Sequence, residues 1–141
     1  MNASAIDRVQ QTFKAVPTSA RAARQFVTRT LRAHGAANSV INDYALVVSE
    51  LATNIIEHGD GSDLVIFVDV ADPDWWGMEV VGGAKTGSSR VGEPASWTVA
   101  GADEPSGRGL GIVRHLMDEI LTDTTDSQVS IRCQRRRIDA S

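Results

Sequence analysis

Glu50 and Asn54 are four residues apart, and their side-chain types could do chemistry together. They fall in a stretch from Asn38 or Ser39 to about His58. There Tyr44, Val47, Val48, Leu51 and Ile55 recur at helical spacing and predict an amphipathic helix. At about 100° per residue, Asn54 lies roughly 40° from Glu50 on the helical wheel, and Glu57 about 20° the other way. The pair therefore sits one turn apart at the border of the buried face, where a charged group is costly to bury. A carboxylate there can take a proton from a hydroxyl or a water. A neutral amide oxygen one turn later can ligate Mg²⁺, which prefers hard oxygens and keeps several waters. Phosphoryl transfer from Mg-ATP needs both. The plain alternative is a solvated helix edge with Asn54 bonded locally. His58 lies nearer the apolar stripe and is expected to be a buried structural histidine.

A second chemical feature is Ser106-Gly107-Arg108-Gly109-Leu110-Gly111, read as a loop that runs into a third helix. Glycines let a backbone approach a ligand closely. The free N–H groups and dipole of a helix start favour phosphate. Arg108 would add positive charge. Taken alone, the segment is also consistent with a glycine-rich turn that starts a helix.

The elements that must position these residues follow from pattern. Residues 11–16 read as a short strand before Pro17. Thr18 or Ser19 is a candidate cap for a first helix, in which Ala23, Val27 and Leu31 share one face. Arg21, Arg24, Arg29 and Arg32 cover its other side, and Gly35 is its expected stop. After the Glu50 helix, 64–70 and 76–81 predict a β-hairpin across the turn Ala71-Asp72-Pro73-Asp74. Residues from about 83 to 107 are rich in Gly, Ser, Ala and Pro, and a connection of that length reads as a lid. Leu110, Val113, Met117 and Ile120 mark the third helix. Leu121 to Thr125 and the alternating Val129, Ile131 and Cys133 mark two last strands. The order predicts a two-layer α/β sandwich, a mixed β-sheet with three helices packed on one face.

Composition narrows the class. At 141 residues the chain suits a single domain, 1–141. A net charge of −4 argues against a general nucleic-acid binder. The run Arg135-Arg136-Arg137 reads first as a solvated strand end and second as a docking patch for an acidic partner. No apolar run reaches the ~20 residues that cross a bilayer. With no apolar signal core after Met1 and one cysteine, Cys133, a cytoplasmic location is expected.

With these features placed, the sequence resembles the anti-sigma factor serine/threonine kinases. These belong to the superfamily of ATPase domains shared by gyrase, histidine kinases and mismatch-repair proteins. Val47-Val48-Ser49-Glu50-Leu51-Ala52-Thr53-Asn54, with His58 following, is similar to the family's Asn-bearing helix. Gly107-Arg108-Gly109-Leu110-Gly111-Ile112-Val113 is similar to its second glycine box. Ser19-Ala20-Arg21-Ala22-Ala23-Arg24 looks like its first helix, and the likeness spans about residues 12 to 134. The resemblance implies a Bergerat-type sandwich that binds ATP and Mg²⁺. It implies Glu50 as general base for a target serine or threonine and Asn54 as the Mg²⁺ ligand. It implies that the segment around Gly107 and Gly109, with Arg108, Leu110 and Gly111, wraps the phosphates. Implied partners are a STAS-fold anti-sigma antagonist and a sigma factor, and many members are homodimers.

One box departs from the family pattern. Family members end the central strand in Asp-x-Gly, the aspartate accepting from the adenine amino group. Here the strand runs Glu79-Val80-Val81-Gly82-Gly83-Ala84. Gly82 takes the aspartate position, Gly83 follows, and Ala84 takes that of the first glycine. Losing that charged hydrogen bond would cost roughly 1.5–3 kcal/mol, about ten- to a hundredfold in affinity. Asp103 or Glu104 in the lid are the substitutes at hand. The departure sets a second reading beside the kinase: a non-catalytic partner-switching protein with weakened nucleotide binding. A third, a truncated histidine kinase, would need a phospho-acceptor, and His34 next to Gly35 is poorly placed for one. Trp76, at a strand start, reads as a packing residue, and Trp97 in the lid as a candidate for closing over nucleotide or partner; Trp75 adds little.

Overall fold

The computed structural model describes residues 8–84, 105–125 and 127–137, with only the backbone of 105–109. The elements run β1 (Arg8–Phe13), α1 (Ser19–Ala33), α2 (Asn38–His58), β2 (Leu64–Asp69), β3 (Trp75–Gly83), α3 (Pro105–Leu116), β4 (Glu119–Thr124) and β5 (Gln128–Arg136). The strands form one sheet in the order β1-β2-β3-β5-β4.

This is the expected two-layer α/β sandwich, with one refinement. The sheet expected to be mixed is antiparallel at all four described ladders. The reason lies in the connections. The β2–β3 and β4–β5 links are short and can only reverse the chain, and α1 with α2 returns it antiparallel to β1.

Alternation along the strands separates two faces. Leu64, Ile66 and Val68 of β2, Trp76, Met78 and Val80 of β3, and Val129, Ile131 and Cys133 of β5 are buried toward the helices. α2 is the central helix and packs on both α1 and α3. Its buried stripe is Val40, Ile41, Tyr44, Val47, Val48, Leu51, Ala52 and Ile55. α1 buries Ala23, Phe26, Val27, Thr30 and Leu31, with Phe26 against Phe13 at a ring-centroid separation of 6.0 Å. Among the described elements no helix covers the opposite sheet face, where Leu121 is 62% exposed.

Element edges moved where pairing overruled local pattern. β1 ends at Phe13 rather than Val16 because its partner Leu64 is the first residue of β2. Ile120, expected on the third helix, belongs to β4, where it pairs with Cys133. The expected hydroxyl cap of α1 is not made. The Ser19 N–H instead donates to the Val16 carbonyl at 2.9 Å, so the preceding turn satisfies the helix start. Gly35 does end α1, at φ +84°, and the Ala36 N–H donates back to the Leu31 carbonyl at 3.0 Å.

Candidate functional site

Helix α2 carries Glu50 and Asn54 one turn apart, and both are half-buried. Among the described residues neither makes a side-chain hydrogen bond or ion pair. Being only partly buried, both side chains keep access to solvent, and so to a ligand. Glu57 is exposed. His58, expected in the core, is 35% exposed and lies 3.9 Å from the Glu57 carboxylate. The helix ends at that residue, beyond the last buried side chain, Ile55, so no layer covers it.

α3 packs along α2. Its last residues, His115 and Leu116, line a cavity of about 400 Å³ with Asp43 near the start of α2. The opposite end of α3 therefore points toward the half of α2 that bears Asn54. The segment Gly107-Arg108-Gly109-Leu110-Gly111 differs from expectation. It is not a loop before α3 but its first turns, because the helix begins at Pro105. Proline is favoured at the first helical position, where its fixed φ suits the helix and a missing N–H costs nothing. Gly111 is buried and Leu110 half-buried. The expected lid falls mainly on 85–104, outside the described residues, and with it Trp97, Asp103 and Glu104.

The end of β3 meets the end of α2 through glycine. Gly82 points toward the helices. A Cβ at Gly82 would lie under 3.0 Å from Cγ2 of Ile55, 3.5 Å from its Cδ1 and 3.6 Å from its Cβ. Ile55, the residue after Asn54, thus fills the space that an aspartate at position 82 would need. Gly83 faces the other way, and there a Cβ would collide with the Asp60 carboxylate. That carboxylate accepts from both the backbone N–H and the hydroxyl of Ser62. These two bonds hold the Asp60 carboxyl below its ordinary range. The junction is closed by the Asp60 N–H to the Gly83 carbonyl at 3.2 Å and by a Gly59–Ala84 bridge. Sequence periodicity had assigned Ile55 to the core stripe alone. Its pairing with Gly82 has no local signal, because it depends on where β3 ends under α2.

The arginine run is consumed by the fold. Arg135 pairs with Asp43, Arg136 stacks 4.5 Å over the Trp75 ring, and Arg137 stacks 3.6 Å over Trp76. Arg137 also donates to the Val70 carbonyl at 2.8 Å. Trp76 is a packing residue, as expected. His34 is exposed, its Nδ1 2.9 Å from the Thr30 carbonyl oxygen.

On the open sheet face, Glu79 takes hydrogen bonds from Arg8, Ser130 and Arg132. Burial alone would raise the Glu79 carboxyl. The Ser130 and Arg8 hydrogen bonds, with the Arg132 and Arg8 charges, outweigh burial and hold it below the usual range. Among the described residues no group of three or more His, Cys, Asp or Glu could cage a metal ion. A Mg²⁺ held by one amide and by substrate phosphates needs no such cage, so Asn54 fits that ion. No described helix is long and apolar enough to cross a membrane.

The model of the family described as "Histidine kinase-like ATPase domain" matches residues 13–134. The chain belongs to that family. The matched span of this ATPase-family chain runs from the last residue of β1 to within β5, so it includes both α2 and α3. A solved structure, the RsbU and RsbW domains of Rv1364c from Mycobacterium tuberculosis, is similar at a TM-score of 0.68 and 19% identity. The match covers 93% of this chain and 33% of that one, so this chain spans about a third of its length. At that identity the likeness is one of fold. Among curated proteins none matches.

Proposed function

We propose that this chain is an anti-sigma-factor-type serine/threonine kinase, with residues 1–141 acting as one cytoplasmic ATPase-type domain. It would phosphorylate a STAS-fold anti-sigma antagonist and bind a sigma factor, as a homodimer. The observation that carries this reading is the pair Glu50 and Asn54: one turn apart, half-buried, and without side-chain partners among the described residues. Membership of the histidine kinase-like ATPase family and the fold shared with the RsbW-bearing chain support it.

In this reading Asn54 would hold Mg²⁺, which would supply charge neutralisation for the phosphoryl transfer. Glu50 accepts the proton of the target hydroxyl as its oxygen bonds to the γ-phosphorus. The bond to the β–γ bridging oxygen breaks, and ADP leaves with the electron pair. In a helix only the first-turn N–H groups are free, so Ser106 and Gly107 would donate to phosphate. Arg108 would add charge there. Gly109, Leu110 and Gly111 would shape the approach of α3 to α2. Gly82 and Gly83 would floor the base end.

The test is transfer of labelled phosphate from ATP to a cognate STAS-fold protein, with Glu50→Gln as control. Transfer is expected to fall about 10²-fold or more on losing the general base. Absence of transfer with the correct partner would overturn the reading. One observation favours the second reading, a non-catalytic partner switch: position 82 has no carboxylate and no room for one. Tight partner binding beside absent ATP binding in calorimetry would establish it.

A further inference from the structure

We infer that the exposed face of α1, with Arg21, Arg24, Arg29 and Arg32, is the docking surface for a carboxylate-rich segment of a partner protein. The inference needs no nucleotide and stands whether or not the chain transfers phosphate.

Two independent observations carry it. The first is charge without partners. All four arginines are exposed, and among the described residues none of their side chains makes an ion pair or a hydrogen bond. α1 contains no Asp or Glu. Elsewhere the fold uses its arginines: Arg8, Arg132 and Arg135 meet carboxylates, and Arg136 and Arg137 stack on tryptophans. The run at 135–137 is thus spent, and unpaired arginine charge among the described residues is concentrated on α1.

The second is that α1 is built against its own electrostatics. The N-terminal end of a helix is the positive end of its dipole and favours acids. α1 has no acid in its first turn and no side-chain cap. Arg21 stands at its third position, where a capping box carries Glu or Gln. Arg21 and Arg24 are like charges three residues apart, as are Arg29 and Arg32, and helical neighbours of one sign repel. Local rules broken with no return inside the fold mark functional surface. An acidic partner supplies the return, because its carboxylates relieve both the repulsion and the dipole.

The shape and charge of the molecule select the occupant. From Arg21 to Arg32 the face runs about 16 Å, at 1.5 Å per residue. Arg29 and Arg32 lie roughly 80° and 20° from Arg21 on the helical wheel, and Arg24 about 60° the other way. The four therefore form one ridge, which carboxylates three and four residues apart on a partner helix would meet in register. With α1 at +4 and the whole chain at −4, the remainder carries −8. A nucleic-acid duplex or an anionic bilayer would meet that remainder as well and be repelled. None of the large hydrophobic residues of α1 is exposed, so the face offers a bilayer no apolar anchor. A short acidic segment need touch only α1.

The test uses the full chain and a fluorescein-labelled helical peptide whose glutamates recur three and four residues apart, with a glutamine version as control. Competing probes are a short DNA duplex and phosphatidylserine vesicles. The glutamate peptide is expected to bind, less tightly as salt rises, and the glutamine peptide is not. Replacing all four arginines by glutamine is expected to weaken binding about tenfold or more, the summed effect of several exposed ion pairs. Arg136→Gln, away from α1, should leave it unchanged. The quadruple variant is also expected to melt about 2–4 °C higher, because repulsion is removed. Equal binding of the two peptides, retained binding by the quadruple variant, or tighter binding of DNA or vesicles would each overturn the inference. So would a quadruple variant that melts lower, since the arginines would then serve the fold. If that variant does not fold, Arg29→Gln with Arg32→Gln decides the question by a loss of about threefold or more.

Discussion

The Tyr44 hydroxyl on α2 lies 2.8 Å from the main-chain oxygen of Trp76 on β3 and 3.2 Å from that of Cys133 on β5. It is a polar tie between the two layers, at a residue with no exposure. Burial first, and the neighbouring Cys133 second, push this hydroxyl well above its ordinary value of 10.0, so it stays a donor. Tyr44→Phe is expected to lose about 1–1.5 kcal/mol by urea denaturation with an unchanged slope. A folded-state value raised above the unfolded one also means that stability falls as pH rises beyond about 10, when the unfolded chain ionises.

Arg137 is expected to matter more than its neighbour Arg136. Its guanidinium stacks on the buried Trp76 and donates to the Val70 carbonyl, whereas Arg136 stacks on half-exposed Trp75. Arg137→Ala should cost about 1.5–3 kcal/mol and Arg136→Ala about 0.5–1 kcal/mol, read by urea titration with tryptophan fluorescence. Arg137→Lys should recover only part, since an ammonium cannot both stack and bond as a planar fork does.

Glu79 predicts an acid-side loss of stability. Its carboxyl is held below the usual range, so it is depressed on folding. The stabilisation is therefore present above the unfolded value and is lost as pH falls through the folded one. Wild type should exceed Glu79→Gln in urea midpoint at neutral pH. The gap should close below about pH 4, the ordinary carboxylate range. A gap that persisted in acid would show that Glu79 acts by packing instead.

Cys133 should be inert in the native protein. It has no exposure, and burial pushes its thiol up to about 12. At neutral pH the reactive thiolate is scarce and enclosed. Alkylation should therefore proceed only as fast as the chain opens, and should quicken in step with urea-induced unfolding.

Gly59→Ala should loosen the junction beside the base end. A Cβ there would meet the Ile55 carbonyl at 2.5 Å and the Gly83 carbonyl at 2.7 Å, both backbone atoms with little freedom to move. Overpacking of this kind costs about 1–3 kcal/mol. Melting temperature and Mg-ATP affinity are expected to fall together.

Much of the fold was legible in local pattern. The stripe from Tyr44 to Ile55 marked α2, alternation at Val129, Ile131 and Cys133 marked β5, and Gly35 marked the end of α1. These signals are local because helix and strand periods repeat within a few residues. The Glu50–Asn54 pair was legible for the same reason: a four-residue separation puts two side chains on one helical face wherever the helix lies. The start of β1, the missing cap at Thr18 and Ser19 and the placement of Ile120 were not legible. The strand and Ile120 were settled by pairing partners distant in sequence, and the cap by the preceding turn at Val16.

The sequence by itself marked the residues proposed to act on a phosphate or a metal, and it shows that position 82 carries no carboxylate. It also determined the family, through motifs whose spacing survives without coordinates. Only the tertiary structure decided that Ile55 occupies the room above Gly82, that the glycine segment from Gly107 is helix rather than loop, and that the three arginines are spent on Asp43, Trp75 and Trp76. The physical reason is packing. Side chains from α2, β3 and β5 compete for the same volume, and their outcome depends on contacts between residues tens of positions apart, which no local period encodes.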